Sequence, residues 1–173
     1  MIEVQGHRAN DEETLERHLA AGADTLELDV GLRDGRLVVA HETDLDDASG
    51  LTLDRALELA GTTPLVVEAK CYPPETPQPE EFAAALEPYL ERIRVISFEP
   101  WVLREVRKRR PDAAIGFLFE EPVEVTAFAP TIGPSRHLVT RELVQASHGL
   151  GVRGVPWTVK RADGMKGLLD LCD

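Results

Sequence analysis

Cysteine, aromatic residues and long apolar runs are all scarce in this chain of 173 residues. The 2 cysteines, Cys71 and Cys172, show no metal-binding spacing, and we expect them to be reduced thiols. No apolar run approaches the roughly 20 residues that cross a bilayer, and the N-terminus lacks the basic and apolar regions of a signal peptide. These absences predict a cytoplasmic protein without an integral membrane segment.

Positive charge is scarce as well. The sequence holds 19 Lys and Arg residues against 31 Asp and Glu residues, which gives a net charge of -12. A surface that binds nucleic acid needs clustered positive charge. The dense basic run at residues 107–110 ends a predicted helix, where cations are stabilising without any ligand. The composition therefore argues against a nucleic-acid partner.

Short apolar runs alternate along the chain with amphipathic stretches of helical period. Strands are predicted at residues 2–5, 25–30, 36–40, 65–69, 94–97, 114–118, 127–129 and 152–158, and helices at residues 11–21, 52–60, 80–91, 101–110, 140–150 and 162–171. This alternation predicts one parallel α/β domain over residues 1–173. The first strand lacks a following glycine-rich loop, and polar residues end several strands, which favours a TIM-barrel-like (β/α) barrel over a doubly wound sheet.

Ionisable residues cluster at the ends of four predicted strands. They are His7, Arg8, Glu27, Asp29, His41, Glu68 and Lys70. In a parallel barrel these strand ends converge on one rim, where active sites form. Three carboxylates without cysteine suit a hard ion such as Mg²⁺ or Ca²⁺, two histidines suit acid–base work, and arginine can fork onto a phosphate. The set therefore favours metal-assisted phosphoryl transfer.

Each member of this set also has an ordinary explanation when it is taken alone. The pair His7-Arg8 could be an accident of a strand end, and Glu27 with Asp29 is a common pattern on a half-exposed strand. Glu68 with Lys70 is most often an exposed ion pair. The joint order of the residues, rather than any one of them, carries the functional prediction.

That order resembles the glycerophosphodiester phosphodiesterase family. The first strand end reads GHRAN, like the family's His-Arg-Gly, with Ala9 in place of the glycine. The next block reads LELDVGLRDGRLVVAHE, which is similar to the family's Glu-x-Asp-Val, Asp-Gly and Val-Val-x-His-Asp motifs. Later segments that resemble the family are LVVEAK, RVISFEP and VPWTVK. The similarity covers essentially the whole chain.

The resemblance implies a function and a role for each matching residue. The substrate would be a small-molecule phosphodiester, most of all a glycerophosphodiester that is hydrolysed to an alcohol and glycerol phosphate. The implied roles are metal ligation by Glu27, Asp29 and Glu68, acid–base catalysis by His7 and His41, and substrate binding by Arg8, Lys70 and Trp157. Which histidine is the acid stays open, and Trp157 is as readily explained as a core aromatic.

Two departures from the family pattern lead to further expectations. Only residues 43–51 separate the His41 motif from the next helix, where the family carries a cap insertion, so larger or more exposed phosphodiesters become candidate substrates. The chain also ends before a counterpart of the family's last strand. We therefore expect a shortened barrel that is open, closes imperfectly or is completed by another chain. If another copy of the chain covers the open edge, the protein is a homo-oligomer.

Three alternative interpretations remain open at this point. A phospholipase-type lyase would use the same site to form a cyclic phosphate. A degraded barrel would act as a module that binds a phosphate ligand, and an unrelated α/β protein would share only the layout. The presence of all three carboxylates and both histidines disfavours decay.

Overall fold

The computed structural model describes residues 4–41, 50–71, 79–159 and 167–168. The chain divides into two compact units, Met1–Ala114 and Ile115–Asp173. Parallel strands alternate with helices in each unit, so the predicted α/β class is confirmed. None of the helices in the described ranges has the length and apolar character needed to cross a membrane.

Within its described residues, the first unit contains five strands and four helices. The strands are β1 (Gln5–Gly6), β2 (Thr25–Arg33), β3 (Arg36–Val39), β4 (Leu65–Ala69) and β5 (Ile93–Ser97), and the helices are α1 (Glu12–Ala20), α2 (Leu53–Ala60), α3 (Pro79–Leu86) and α4 (Pro100–Arg109). Strands β1, β2, β4 and β5 lie side by side in that order and run parallel, whereas β3 pairs antiparallel with β2. The turn of this hairpin is at Asp34 and Gly35, which both have positive φ, as is typical of an Asp-Gly pair in a tight hairpin turn.

The central strands of this unit are buried along their length. All five residues of β4 are buried, as is typical of a parallel strand that is covered on both faces. Helices α1 and α2 pack together, as do α3 and α4. The fully buried side chains of this core include Leu15, Leu26, Leu28, Phe82 and Leu103. This core fixes the positions of the strand ends that carry the candidate site.

Local signals in the sequence explain where the helices of the first unit begin and end. The Asp11 side chain caps α1 by accepting a hydrogen bond from Thr14 N at 2.7 Å. Thr52 caps α2 by accepting a hydrogen bond from Arg55 N at 3.1 Å. Helix α3 ends at Leu86 and continues only as a 3₁₀ turn, Glu87–Tyr89. The sequence predicts a helix as far as residue 91, but proline at position 88 cannot donate the hydrogen bond that would extend α3.

The described part of the second unit contains three parallel strands in the order β6 (Ala114–Phe119), β7 (Thr131–Pro134) and β8 (Arg153–Gly154), with helix α5 (Arg141–Gly149) before β8. The first residue of β6 closes the first unit. The prediction of a strand at residues 127–129 is wrong, because those residues form a turn and the paired, buried strand follows at β7. The prolines at both ends of β7 mask it in the sequence, whereas pairing with β6 and β8 fixes it in the fold.

Two predicted elements near the C-terminus have different outcomes. The strand predicted at residues 152–158 is limited to β8, with one further bridge between Ser135 and Trp157. The helix predicted at residues 162–171 lies mostly outside the described residues, of which 167–168 are helical.

Candidate active site

Seven of the predicted site residues lie at one end of the parallel strands in the first unit. His7 and Arg8 follow β1, Glu27 and Asp29 lie in β2, His41 comes soon after β3, Glu68 lies in β4 and Lys70 follows β4. Asp29 is paired in register with Glu68, and residues two apart in a strand share a face. The three carboxylates therefore point to the same side of the sheet.

The carboxylates Glu27, Asp29 and Glu68 form a tight, buried cluster. Their side chains are 1%, 1% and 9% exposed, and one candidate ligand atom from each lies within 4.8 Å of the others. Burial and the charge of Asp29 raise the pKa of Glu27 to about 8. Burial also raises the pKa of Glu68, although the neighbouring Lys70 opposes the rise. Such a cluster is costly unless cations balance it.

Lys70 supplies the one buried cation in the described part of this cluster. Its Nζ lies 2.8 Å from Asp29 Oδ1 and 2.5 Å from Glu68 Oε1. Burial lowers the pKa of Lys70, but Glu68 and Asp29 outweigh that effect and raise it above its usual value. Lys70 is therefore charged at neutral pH. One ammonium group cannot balance three carboxylates when all three are ionised.

A divalent cation fits the residues that remain. Glu27 Oε1 is buried and has no hydrogen-bond partner among the described residues. The donor set consists of carboxylate oxygens, which are the ligands that Mg²⁺ and Ca²⁺ prefer. An unpaired buried oxygen beside two further carboxylates is the arrangement expected of a hard-ion site. The predicted ligands Glu27, Asp29 and Glu68 are thus brought together by the fold.

Arg8 contacts this cluster through its backbone and its side chain. Its φ of 56° is unusual for a residue other than glycine. In this conformation Arg8 N donates to Glu27 Oε2 at 2.8 Å, and the Arg8 Nε lies 3.9 Å from Asp29 Oδ2. The guanidinium also donates a short hydrogen bond to His41 Nε2. Because the side chain is 51% exposed, the guanidinium has room to turn towards an incoming anion.

The two predicted catalytic histidines flank the carboxylates. His7 Nε2 lies 3.8 Å from Glu27 Oε2, and the ring is 39% exposed. Burial first, and then the charge of Arg8, lower the pKa of His7. His41 is half-buried, contacts Arg8, and is close enough to affect the ionisation of both His7 and Glu68. Both imidazoles therefore border the space above the carboxylate cluster.

Asn10 is a site residue that the sequence interpretation misses. Its Nδ2 donates to Asp29 Oδ2 at 2.8 Å, and its Oδ1 accepts from Asp29 N at 2.9 Å. The side-chain amide therefore fixes both the carboxylate and the backbone of Asp29. The available signal is an amide residue in the loop directly after the first strand, but asparagine is equally common in ordinary turns.

His18 is not among the residues that the sequence analysis singles out. It lies on α1 and is half-buried, and its ring Nε2 is 3.1 Å from the His7 carbonyl oxygen. Ser97, which matches the family motif, donates to the Ala69 carbonyl at 2.9 Å and fixes the end of β4.

Trp157 lies in the second unit, where its indole donates to the Gly133 carbonyl at 2.8 Å. Its role in substrate binding stays a prediction.

The chain has parallel strands that alternate with helices, and a carboxylate cluster lies at the carboxyl ends of the strands. These two features together are typical of TIM-barrel-like enzymes. No family model matches the chain. A curated relative, the glycerophosphodiester phosphodiesterase of Caldanaerobacter subterraneus subsp. tengcongensis, is 27% identical in an alignment that covers 96% of this chain and 89% of the relative. The chain is thus similar over nearly its whole length to the family that its motifs resemble.

Solved structures share the fold. A protein from Silicibacter pomeroyi DSS-3 has a TM-score of 0.83 at 22% identity, with 99% of this chain and 87% of that chain covered. An Oleispira antarctica phosphodiesterase, solved in complex with the product sn-glycerol-3-phosphate, has a TM-score of 0.81 at 18% identity, with 99% and 90% covered. The predicted shortened TIM-barrel-like fold is confirmed. The relatives also bear out the prediction of an enzyme of the phosphodiesterase class.

Proposed function

We propose that this chain hydrolyses a small-molecule phosphodiester, most of all a glycerophosphodiester, to an alcohol and glycerol phosphate. The observation that carries the proposal is the buried cluster of Glu27, Asp29 and Glu68, in which Glu27 Oε1 is unpaired. The name of the curated relative and the product bound in the Oleispira antarctica structure support the choice of substrate class.

Glu27, Asp29 and Glu68 would hold Mg²⁺ or Ca²⁺. The ion, when bound, supplies charge stabilisation at the phosphoryl oxygens. Lys70 holds Asp29 and Glu68 in place and adds positive potential below the phosphate. The half-exposed Arg8 fork binds the phosphate from the rim, since a planar guanidinium matches two phosphate oxygens. Trp157 is proposed to line the substrate pocket.

His7 and His41 form the proposed acid–base pair. One imidazole takes a proton from water or from a neighbouring hydroxyl of the substrate as that oxygen attacks phosphorus. The other gives a proton to the leaving alkoxide as its bond to phosphorus breaks. The two rings contact different side chains. His7 lies beside the Glu27 carboxylate, and His41 accepts a hydrogen bond from Arg8, so each ring has its own partner. Attack by a substrate hydroxyl would first give a cyclic phosphate, and attack by water would not.

The test is a screen of purified protein with Mg²⁺ or Ca²⁺ over glycerophosphocholine, glycerophosphoethanolamine, lysophospholipids and bis-nitrophenyl phosphate. Phosphorus NMR separates glycerol phosphate from a cyclic phosphate, and so separates hydrolase from lyase. We expect His7→Ala and His41→Ala each to lower turnover by about 10²-fold or more. His148→Ala, which alters an exposed histidine on α5, is the matched control.

Two results would contradict the proposal. Near-normal turnover by either the His7 or the His41 variant would remove the acid–base mechanism. Absence of turnover by the wild type on every substrate, with either metal, would favour the module that binds a phosphate ligand. EDTA should stop the wild-type reaction, and restoration by one of the two ions would identify the metal.

A further inference from the structure

The peptide group between His7 and Arg8 is held at both ends. Its N–H, which belongs to Arg8, donates to Glu27 Oε2 at 2.8 Å. Its carbonyl oxygen, which belongs to His7, accepts from His18 Nε2 at 3.1 Å. Because a peptide group is planar and rigid, fixing both ends fixes the direction of the N–H bond. That direction determines where the carboxylate of Glu27 rests.

The contact from His18 depends on a glycine in the first strand. A Cβ added at Gly6 would lie 2.8 Å from both Cβ and Cγ of His18, which is closer than such atoms approach. Gly6 therefore lets the His18 ring lie directly against β1. From that position the ring reaches past Gly6 to the carbonyl of the next residue. The position of the His18 ring therefore depends on the absence of a side chain at Gly6.

The backbone conformation at Arg8 shows that this arrangement is needed. A φ of 56° is unfavourable for arginine and persists only where the surroundings fix it. Three hydrogen bonds do so here. They are the two on the His7–Arg8 peptide and a third from Ala9 N to the Glu27 carbonyl at 2.8 Å. Of these three, only the bond from His18 comes from outside the strand pair β1 and β2.

We infer that His18 is a positioning residue for the metal ligand Glu27. By holding the His7 carbonyl, His18 orients and polarises the peptide whose N–H engages Glu27 Oε2. With Oε2 engaged, the unpaired Oε1 of Glu27 is the atom presented to the cation. The inference rests on the proposed function, since it concerns the same metal site. None of the sequence motifs that carry the family resemblance includes this residue.

The test is calorimetric titration of metal-free protein with MgCl₂ and, separately, with CaCl₂. The decisive variant is His18→Phe, which keeps an aromatic ring of similar size but has no donor. Groups that orient a metal ligand typically contribute about 10- to 100-fold in affinity. Because His18 acts through one intervening peptide, we expect a loss near the lower limit, roughly tenfold. If the rate of the reaction is measured as well, His18→Phe should need a higher metal concentration than the wild type to reach half-maximal rate.

His18→Gln is the rescuing variant, since its side-chain amide offers a donor at comparable reach. We expect its metal affinity to lie within about threefold of the wild type. His148→Phe makes the same chemical change at an exposed position and should leave the affinity unchanged. All titrations are made well below the melting temperature of each variant, so that a loss of stability alone does not alter the measured affinity.

The outcomes separate this inference from the proposed function. If the wild type binds neither ion, the proposed metal site itself fails. If the wild type binds one and His18→Phe binds it equally well, His18 has no positioning role. Equal losses in His18→Phe and His18→Gln would also overturn the inference, because the lost hydrogen bond could not then be the cause. If His18→Phe does not fold, wild-type affinity in His18→Ala would be equally decisive against it.

Discussion

Replacing Glu27 by glutamine should stabilise the metal-free protein while it destroys the metal response. Glu27 ionises at about pH 4.5 in an unfolded chain, but burial and the charge of Asp29 raise its pKa to about 8 in the folded protein. At pH 7 the chain must therefore bind a proton at Glu27 when it folds. Glutamine needs no proton, and its side-chain oxygen still accepts from the backbone N–H of Arg8.

The size and the pH dependence of the effect follow from these values. Between pH 4.5 and about 8 the folded protein binds more protons at Glu27 than the unfolded chain, so the stability of the wild type falls as pH rises. Each pH unit above 4.5 is worth about 1.4 kcal/mol, which amounts to about 3 kcal/mol at pH 7. For a chain of this length that free energy corresponds to roughly 6–12 °C in melting temperature. The advantage of Glu27→Gln should disappear near pH 4.5.

The assay is urea unfolding of wild type and variant in EDTA at both pH values, followed by the same measurement with metal. At a metal concentration of 100 times Kd, the wild type should gain about 2.7 kcal/mol and the variant almost nothing. Glu91→Gln is the matched control, since Glu91 is an exposed carboxylate paired with Arg110. The reasoning is refuted if Glu27→Gln is no more stable than wild type at pH 7 in EDTA. It is also refuted if metal stabilises both proteins equally.

Variants at two further positions test the polar groups around the site and the start of α1. Asn10→Ala should lower the free energy of unfolding by about 2 kcal/mol, because it leaves the buried carboxylate and N–H of Asp29 without their amide partner. The measurement is urea unfolding, and a change below about 0.5 kcal/mol would contradict this expectation. Asp11→Ala should cost about 1 kcal/mol at pH 7, whereas Asp11→Asn, which keeps the cap and loses only the charge, should cost less. The Thr14 N–H lowers the pKa of Asp11, so the part of the capping contribution that depends on charge is complete above pH 3.8 and is lost as pH falls through the folded value. A cost of Asp11→Ala that is the same at every pH would contradict a role for the charge.

The parts of the site that depend on strand periodicity could be predicted from the sequence. Glu27 and Asp29 lie two apart in one strand, and Glu68 and Lys70 bracket the end of another, so the two-residue period places each pair on one face. Parallel pairing then brings Asp29 opposite Glu68. Nothing beyond strand identity and direction is needed to reach this result.

The parts that depend on loop conformation could not be predicted. The reciprocal hydrogen bonds of Asn10 with Asp29 exist only because the loop after β1 turns back on the sheet. That turn requires positive φ at Arg8, a conformation that the arginine side chain itself disfavours. Strand β7 was misplaced for a related reason, since its pairing with β6 and β8 outweighs the prolines at its ends.

The same residues show why the carboxylate cluster is better explained by function than by stability. An apolar residue at position 27 would avoid burying a carboxyl group whose Oε1 has no partner among the described residues. The chain instead keeps Glu27 there, and its Oε2 accepts a hydrogen bond from the backbone N–H of Arg8, a residue in an unfavourable conformation. That hydrogen bond lowers the pKa of Glu27, but burial and the charge of Asp29 outweigh it, so the pKa is still raised. The bond to Oε2 therefore leaves the cost of the buried carboxyl group in place, whereas a cation at Oε1 would offset it.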